Sequence, residues 1–259
     1  VTQSFRHPEI LEIARREGRV TVEDLAERFG VTLQTIRRDL GDLAETGRLE
    51  RVHGGAILPS GTTNIGYAHR QVLHAEAKAA IARACAAEVP GDCAVFLNIG
   101  TSTEAVAAEL RRHRNLLVVT NNLNVARILA EAEGVRVVVT GGELRRPGGG
   151  PADGGLVGDL TRAAVGRFKF DLAVIGCSAL DEDGDLLDFD LQEVGVSRTI
   201  LRQARRTFAV ADASKLQRSA PARIASLREV DILFTDRPVP APLARACDEW
   251  GTRVVVAGG

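Results

Sequence analysis

Methionine is absent from the 259 residues, and tryptophan and tyrosine occur once each. The four cysteines, Cys85, Cys93, Cys177 and Cys247, lie far apart and form no CxxC pair. That spacing excludes a thiol-based metal or redox site, and a chain of this size needs no disulfide framework; reduced, mostly buried thiols are expected. No apolar run approaches the ~18 residues that a membrane-spanning helix requires, so insertion into a bilayer is not expected. The first residues, Val1 to Arg6, contain no signal-peptide apolar core, and a cytoplasmic location is the expectation. Lysine is nearly missing. Lys78, Lys169 and Lys215 stand against 30 arginines, so their placement is worth following. A strong charge imbalance is missing as well, the net charge being −1. Residues 1–58 hold nine arginines and ten acids. Nucleic-acid binders often carry a net basic domain; here any such role must rest on where individual arginines sit.

What is present is an ordinary globular composition, 45% hydrophobic and 26% charged, written in two grammars. Residues 6–58 read as three short helices and a hairpin. From about residue 75 onward, apolar strand-like runs alternate with helical patterns. The polar stretch Pro59 to Gly66 opens a linker between them. The expected division is therefore a small unit over 1–58, a linker over 59–74 and a large unit over 75–259.

In the small unit Ile10, Leu11, Ile13 and Ala14 give one apolar helical face, and Val22, Leu25, Ala26 and Phe29 a second. Thr21 and Thr32 stand at helix-capping positions, with Gly30 in the turn between them. Ile36, Leu40 and Leu43 turn the third helix inward, which leaves Gln34, Thr35, Arg37 and Arg38 on its outer side. Helix, glycine-bearing turn and helix is the helix-turn-helix pattern, whose second helix places its N-terminal residues in the major groove. Gln pairs with adenine and Arg with guanine or phosphate. Beyond Gly47, two short strands around His53-Gly54-Gly55 read as a wing that offers Arg51 and His53 to DNA. A docking or dimerisation module with a solvated arginine face is the competing interpretation.

In the large unit, strands are expected at Cys93–Ile99, Leu116–Thr120, Val135–Thr140, Leu172–Gly176, Phe208–Val210, Ile232–Thr235 and Arg253–Val256. Continuous apolar strands alternating with helices argue an α/β fold with a mostly parallel, Rossmann-like sheet covered on both faces. Ligands of such sheets sit beyond the strands' carboxyl ends. There lies Gly100-Thr101-Ser102-Thr103, which opens a helix; glycine lets an anion approach the backbone, and the helix start offers free N–H groups. The loop lacks the Walker and GxGxxG patterns, so it suits a single phosphate or carboxylate, although Ser and Thr at a helix start are more often plain caps. Lys215, at the end of another strand, adds a compact point charge. Asp188 and Glu193 belong to an acidic stretch that has no EF-hand spacing; interleaved with apolar residues, they can accept from a polyol or act as a general base. Nothing calls for a cofactor or a metal.

The stretch Thr32 to Leu40 followed by Arg51-Val52-His53-Gly54-Gly55-Ala56 resembles the DNA-binding signature of the DeoR family of bacterial repressors. The large unit resembles that family's sensor domain, related in fold to ribose-5-phosphate isomerase and glucosamine-6-phosphate deaminase. The resemblance is carried by Ile99 to Ala107, Val119 to Ala126 (with Asn121 and Asn122), Gly141 to Arg145, Leu186 to Asp190 with Glu193-Val194, and Asp212 to Lys215. Two departures stand out. Gly148 to Gly155 is rich in Gly and Pro, and Leu216-Gln217-Arg218 stands where Phe-Gly-Arg is expected. The resemblance implies a winged helix-turn-helix repressor of double-stranded operator DNA. It also implies a homo-oligomer, and as effector a phosphorylated three-carbon polyol, glycerol 3-phosphate, that lowers operator affinity. A sugar-phosphate isomerase or deaminase with Asp188 or Glu193 as base is the alternative. The attached helix-turn-helix argues against an enzyme.

Overall fold

The computed structural model describes residues 3–17, 19–52, 54–57, 67–147 and 150–258. His53, Gly148, Gly149 and the stretch 58–66 lie outside the described residues. The chain divides into two compact units, Val1–Ile65 and Gly66–Gly259.

The first unit comprises α1 (Gln3–Glu17), β1 (Arg19–Thr21), α2 (Val22–Phe29), α3 (Leu33–Glu45), β2 (Glu50–Val52) and β3 (Gly55–Ile57). Thr21 caps α2 by accepting from the Asp24 N–H at 3.1 Å. The helix ends at Gly30 in the left-handed conformation, φ 63°. The Val31 N–H then turns back to the Ala26 carbonyl at 3.1 Å and the Gly30 N–H to that of Glu27 at 3.3 Å, a glycine stop that satisfies carbonyls the helix would otherwise leave open. Thr32 caps α3 through the Thr35 N–H at 3.2 Å. The apolar faces anticipated for the three helices close on one another: Ile10, Ala14, Leu25, Ile36, Leu40 and Leu43 are each at most 2% exposed. β3 is central in a three-stranded antiparallel sheet of order β1-β3-β2. The wing is thereby stitched to the strand that precedes α2, a third strand the hairpin pattern alone did not announce.

The second unit begins with α4 (Tyr67–Val72), α5 (Ala75–Ala87), β4 (Ala94–Leu97), α6 (Thr101–Leu110), β5 (Leu116–Thr120), α7 (Leu123–Leu129) and β6 (Val135–Val139). It continues with β7 (Glu143–Leu144), β8 (Leu156–Val157), α8 (Asp159–Val165), β9 (Phe170–Gly176), β10 (Ala179–Leu180), β11 (Asp185–Asp188), α9 (Leu191–Gln203) and β12 (Ala204–Val210). β13 (Ala222–Ser226), β14 (Ile232–Thr235), α10 (Ala241–Trp250) and β15 (Arg253–Val256) complete it. All seven expected apolar runs join one parallel sheet of order β15-β14-β12-β9-β4-β5-β6. Four of the eight phenylalanines, Phe96, Phe170, Phe208 and Phe234, are buried in this core. Phe96 packs on Phe170 (5.1 Å) and Phe208 on Phe234 (5.3 Å), both edge to face. Each such pair adds about 0.5–1.5 kcal/mol beyond its burial.

Two features depart from the sequence reading. Residues 67–72, expected within the linker, form a helix of the second unit. A small antiparallel sheet, β10-β11-β13, carries the acidic stretch, with a register shift between Leu186 and Leu187. For the site, the main consequence of the topology is the reversal of strand order between β4 and β9. From β4 the chain runs outward through β5 and β6; from β9 it runs the other way. The crevice at such a switch point, beyond the carboxyl ends, is where open α/β sheets hold ligands.

Candidate functional site

In the first unit, α3 buries Ile36, Asp39, Leu40 and Leu43 and turns Gln34, Arg37 and Arg38 to solvent, with Thr35 half-buried beside them. The Thr35 hydroxyl meets that of Thr32 at 2.9 Å. Beneath this face the Asp39 carboxylate, 1% exposed, receives Arg6 through two hydrogen bonds of 2.6 and 3.1 Å. Asp39 therefore ties α1 to the inner side of α3. Arg51, expected to reach for DNA from the wing, donates to the Arg37 carbonyl at 3.1 Å and braces α3. His53 lies outside the described residues.

In the second unit the carboxyl ends of β4, β9 and β12 meet. A Cβ on Gly176 would stand 3.9 Å from the Ile99 carbonyl and 4.0 Å from that of Val210. The loops Gly100–Thr103, Cys177–Ser178 and Asp212–Lys215 leave from this shared edge. Gly100 holds φ 143°, and no side chain caps α6, so the backbone N–H groups of its first turn are left to other acceptors. Thr101 is half-buried and Ser102 is 7% exposed. Thr103 corrects the sequence reading. Its single hydroxyl proton serves the Asn98 and Gly100 carbonyls, both at 2.7 Å, so it shapes the loop and does not donate outward.

Asn121 and Asn122 are fully buried. Asn122 caps α7 and donates to Glu104 Oε1 at 3.1 Å, so its expected place on the effector goes instead to joining two loops of the edge. Asn121 Nδ2 donates to the Leu156 carbonyl at 3.0 Å, and its Oδ1 is buried without a partner. The Asp188 carboxylate accepts from the Ser178 hydroxyl (2.7 Å) and the N–H groups of Phe189 (2.7 Å) and Asp190 (3.1 Å). Glu193 is ion-paired with Arg145. Neither carboxylate stands ready as a free general base.

Lys215 sits one turn beyond Asp212, whose carboxylate accepts from the Ser214 N–H at 3.1 Å. Burial depresses Lys215 below the ordinary lysine value, against the pull of Asp212. Burial would raise Asp212, but the charge of Lys215 and the bond from Ser214 hold it low. The site also contains cations the motifs did not announce. Lys78 is 6% exposed and feels the charges of Lys215, Asp212 and Arg70; burial first, then Lys215, lower it to about 8. Arg218 lies over the Phe189 ring at 5.9 Å and is coupled to Arg70 and Lys215. Arg70 donates to Asp153 at 3.2 Å, and Asp153 is also held by Arg145. Lys78, Lys215, Arg218 and Arg70 thus converge from α5, the loop after β12 and α4. Cys177, among them, is no nucleophile, since burial pushes its thiol up to about 12. Two weak signals pointed this way: the rarity of lysine, and Arg218 keeping its place in a departing motif. Nothing marked Arg70, because a cation in a polar segment has no pattern of its own.

The arrangement can hold a small anion. Four cations gather near a loop edge with open backbone donors, Lys78 bonded to the carbonyls of Arg70 and Leu73 and Arg70 to Asp153, and the nearby carboxylates Asp153, Asp188 and Asp212 are each engaged by protein groups. Among the described residues, no cluster of three or more His, Cys, Asp or Glu side chains is arranged for a metal ion, and no helix is long and apolar enough to cross a membrane.

Two family models match this chain, a DeoR-like helix-turn-helix domain over residues 6–62 and a DeoR C-terminal sensor domain over 73–237. The chain is 42% identical over 238 residues to a glycerol-3-phosphate regulon repressor of Escherichia coli (strain K12), covering 92% of each chain. It is 40% identical over 257 residues to the protein of that name from Haemophilus influenzae, covering 99% of this chain and 98% of that one. With the repressor CsqR of Escherichia coli the identity is 36% over 243 residues, 94% and 91% of the two chains. Among solved structures, a ribose-5-phosphate isomerase in complex with phospho-erythronic acid matches with a TM-score of 0.40 and 14% identity, covering 55% and 54%. With its helix-turn-helix unit in front and its sensor unit behind, the chain belongs to the DeoR family of transcriptional regulators.

Proposed function

We propose that this protein represses transcription by binding operator DNA through α3, and that a phosphorylated metabolite, glycerol 3-phosphate, docks at the switch-point edge of the sensor unit and lowers that affinity. The observation that carries the reading is the pairing, in one chain, of an exposed Gln34–Arg37–Arg38 face with the cation cluster Arg70, Lys78, Lys215 and Arg218 beside the Gly100 loop. Arg37 and Arg38 supply phosphate or guanine contacts, and Gln34 and Thr35 the base edges. The phosphoryl group takes the α6 backbone donors and the lysines; Asn121 Oδ1, buried without a partner, is an acceptor suited to a polyol hydroxyl. Names borne by relatives at 40–42% identity support this effector. The protein acts where the chromosome is, in the cytoplasm, and as a dimer or higher homo-oligomer, because paired recognition helices read paired half-sites.

The structure favours a sensor over an isomerase. A general base needs a free carboxylate, whereas Asp188 accepts three hydrogen bonds and Glu193 is ion-paired. Fluorescence anisotropy with operator DNA tests the reading. Glycerol 3-phosphate should weaken binding, and glycerol should not. Turnover of any phosphosugar, or operator affinity indifferent to every phosphorylated metabolite, would refute it.

A further inference from the structure

Helix α4 is six residues long, too short to hold itself, and its described side chains give it no apolar anchor: Val72 is 72% exposed. Polar contacts fix it instead. The Tyr67 hydroxyl donates to Glu104 Oε2 at 2.9 Å and accepts from Asn124 at 2.8 Å. Lys78 reaches the carbonyls at the helix's C-terminal end, that of Arg70 and that of Leu73 at 2.6 Å, where a cation is favoured. Arg70 holds Asp153 at 3.2 Å.

The Arg70 contact is built to be exchanged. Asp153 is already served by Arg145 and by the Gly155 N–H at 3.1 Å, so it stays satisfied when Arg70 turns away. Arg70 Nε is buried without an acceptor, so the guanidinium has a donor to gain by turning. A dianionic phosphoryl group among Lys78, Lys215 and Arg218 offers Arg70 a bidentate partner with more charge than a carboxylate shared with Arg145. α4 also directly follows the stretch 58–66 that leads from the DNA-reading unit.

We propose that Arg70 is the transducing residue: the effector's phosphoryl group takes it from Asp153, α4 is repositioned, and the anchor point of the DNA-reading unit changes with it. This rests on the effector reading above and adds the route by which occupancy reaches DNA.

The experiment uses the full chain and reads two quantities separately: glycerol 3-phosphate affinity by calorimetry, and operator affinity with and without saturating glycerol 3-phosphate. Couplings of this kind are about 5- to 150-fold. Arg70→Met should weaken effector binding by about tenfold, since the lysines and Arg218 remain, and should reduce the coupling at saturation to about 1. Tyr67→Phe removes the hydroxyl that ties α4 to Glu104 and Asn124 and keeps the ring beneath the Arg70 guanidinium. It should leave effector affinity within about twofold while cutting the coupling several-fold, so the inference stays testable if Arg70→Met folds poorly. Full coupling in either variant, with the effector bound, would overturn the role of Arg70 and α4. A parent protein that binds glycerol 3-phosphate without losing DNA would sink the effector reading and this inference together.

Discussion

Gly54 and Gly55 stand side by side in the wing for different physical reasons, and alanine at each should separate them. Gly54 holds φ +77°, and a Cβ there would meet nothing within 4 Å. Its replacement costs about 1–2 kcal/mol of left-handed strain, offset by about 0.4–1 kcal/mol of lost unfolded-state freedom, a net of about 1 kcal/mol. Gly55 pairs with Thr21 on one side and Val52 on the other. A Cβ there would stand 2.0 Å from the Val20 carbonyl oxygen and 3.0 Å from Thr21 Cα, both backbone atoms that no rotamer change can clear. β1 must leave β3. That forfeits two or three ladder hydrogen bonds at about 1 kcal/mol each and uncovers Val20, worth about 1.5–3 kcal/mol when buried, together about 3.5–6 kcal/mol. A unit this small commands little more than about 3–5 kcal/mol in total. In a thermal melt of the full chain, Gly54→Ala should lower the transition of the small unit by about 4–8 °C. Gly55→Ala should abolish that transition and operator binding and leave the sensor transition in place. Gly55→Ala melting like the parent, or above Gly54→Ala, would refute the reasoning.

Three further outcomes follow from the same geometry. Arg38→Ala, at an exposed position, should cost operator affinity at least about tenfold, lower the slope of log affinity against log salt by about 1 and leave the melting profile unchanged, as anisotropy titrations and calorimetry will read. Asp39→Ala removes the buried carboxylate that takes two hydrogen bonds from Arg6 and should lower the small-unit transition by about 10 °C or more, as calorimetry will read. Lys78, lowered by burial and by Lys215 from 10.5 to about 8, is penalised as a cation. Its contribution to stability should therefore rise with pH between about 8 and 10.5, where the unfolded chain still binds the proton. A bound phosphoryl group favours the cation. Glycerol 3-phosphate affinity should then fall from pH 7 to 9 with proton uptake near pH 8, visible by calorimetry in buffers of different ionisation enthalpy and lost in Lys78→Met.

The parallel sheet was legible because each of its seven strands contains an apolar run of three or more residues, and the helix-turn-helix because Thr21, Thr32 and Gly30 mark its ends. The β10-β11-β13 sheet was not. Its strands are two to five residues long and carry Asp185, Asp188 and Arg223 among their apolar residues. α4 escaped because an ion pair, the bonds from Lys78 to its carbonyls and the hydroxyl of half-buried Tyr67 hold it, and such contacts leave no period in a sequence. At the site, Gly100, Thr101 and Lys215 were readable from their places at strand ends. The inward hydroxyl of Thr103 and the pairing of Glu193 with Arg145 were not, because each depends on partners that only the fold brings near.

The scarcity of lysine gives the protein a built-in reporter. Lys169 is exposed, Lys78 is 6% exposed and Lys215 is intermediate. An amine-reactive reagent thus finds one permanently open side chain to serve as an internal standard and two within the proposed pocket. The labelling ratio of Lys215 to Lys169, read by mass spectrometry, reports occupancy of the sensor without any engineered probe, and a lysine-specific protease has three places to cut, all of them in the second unit.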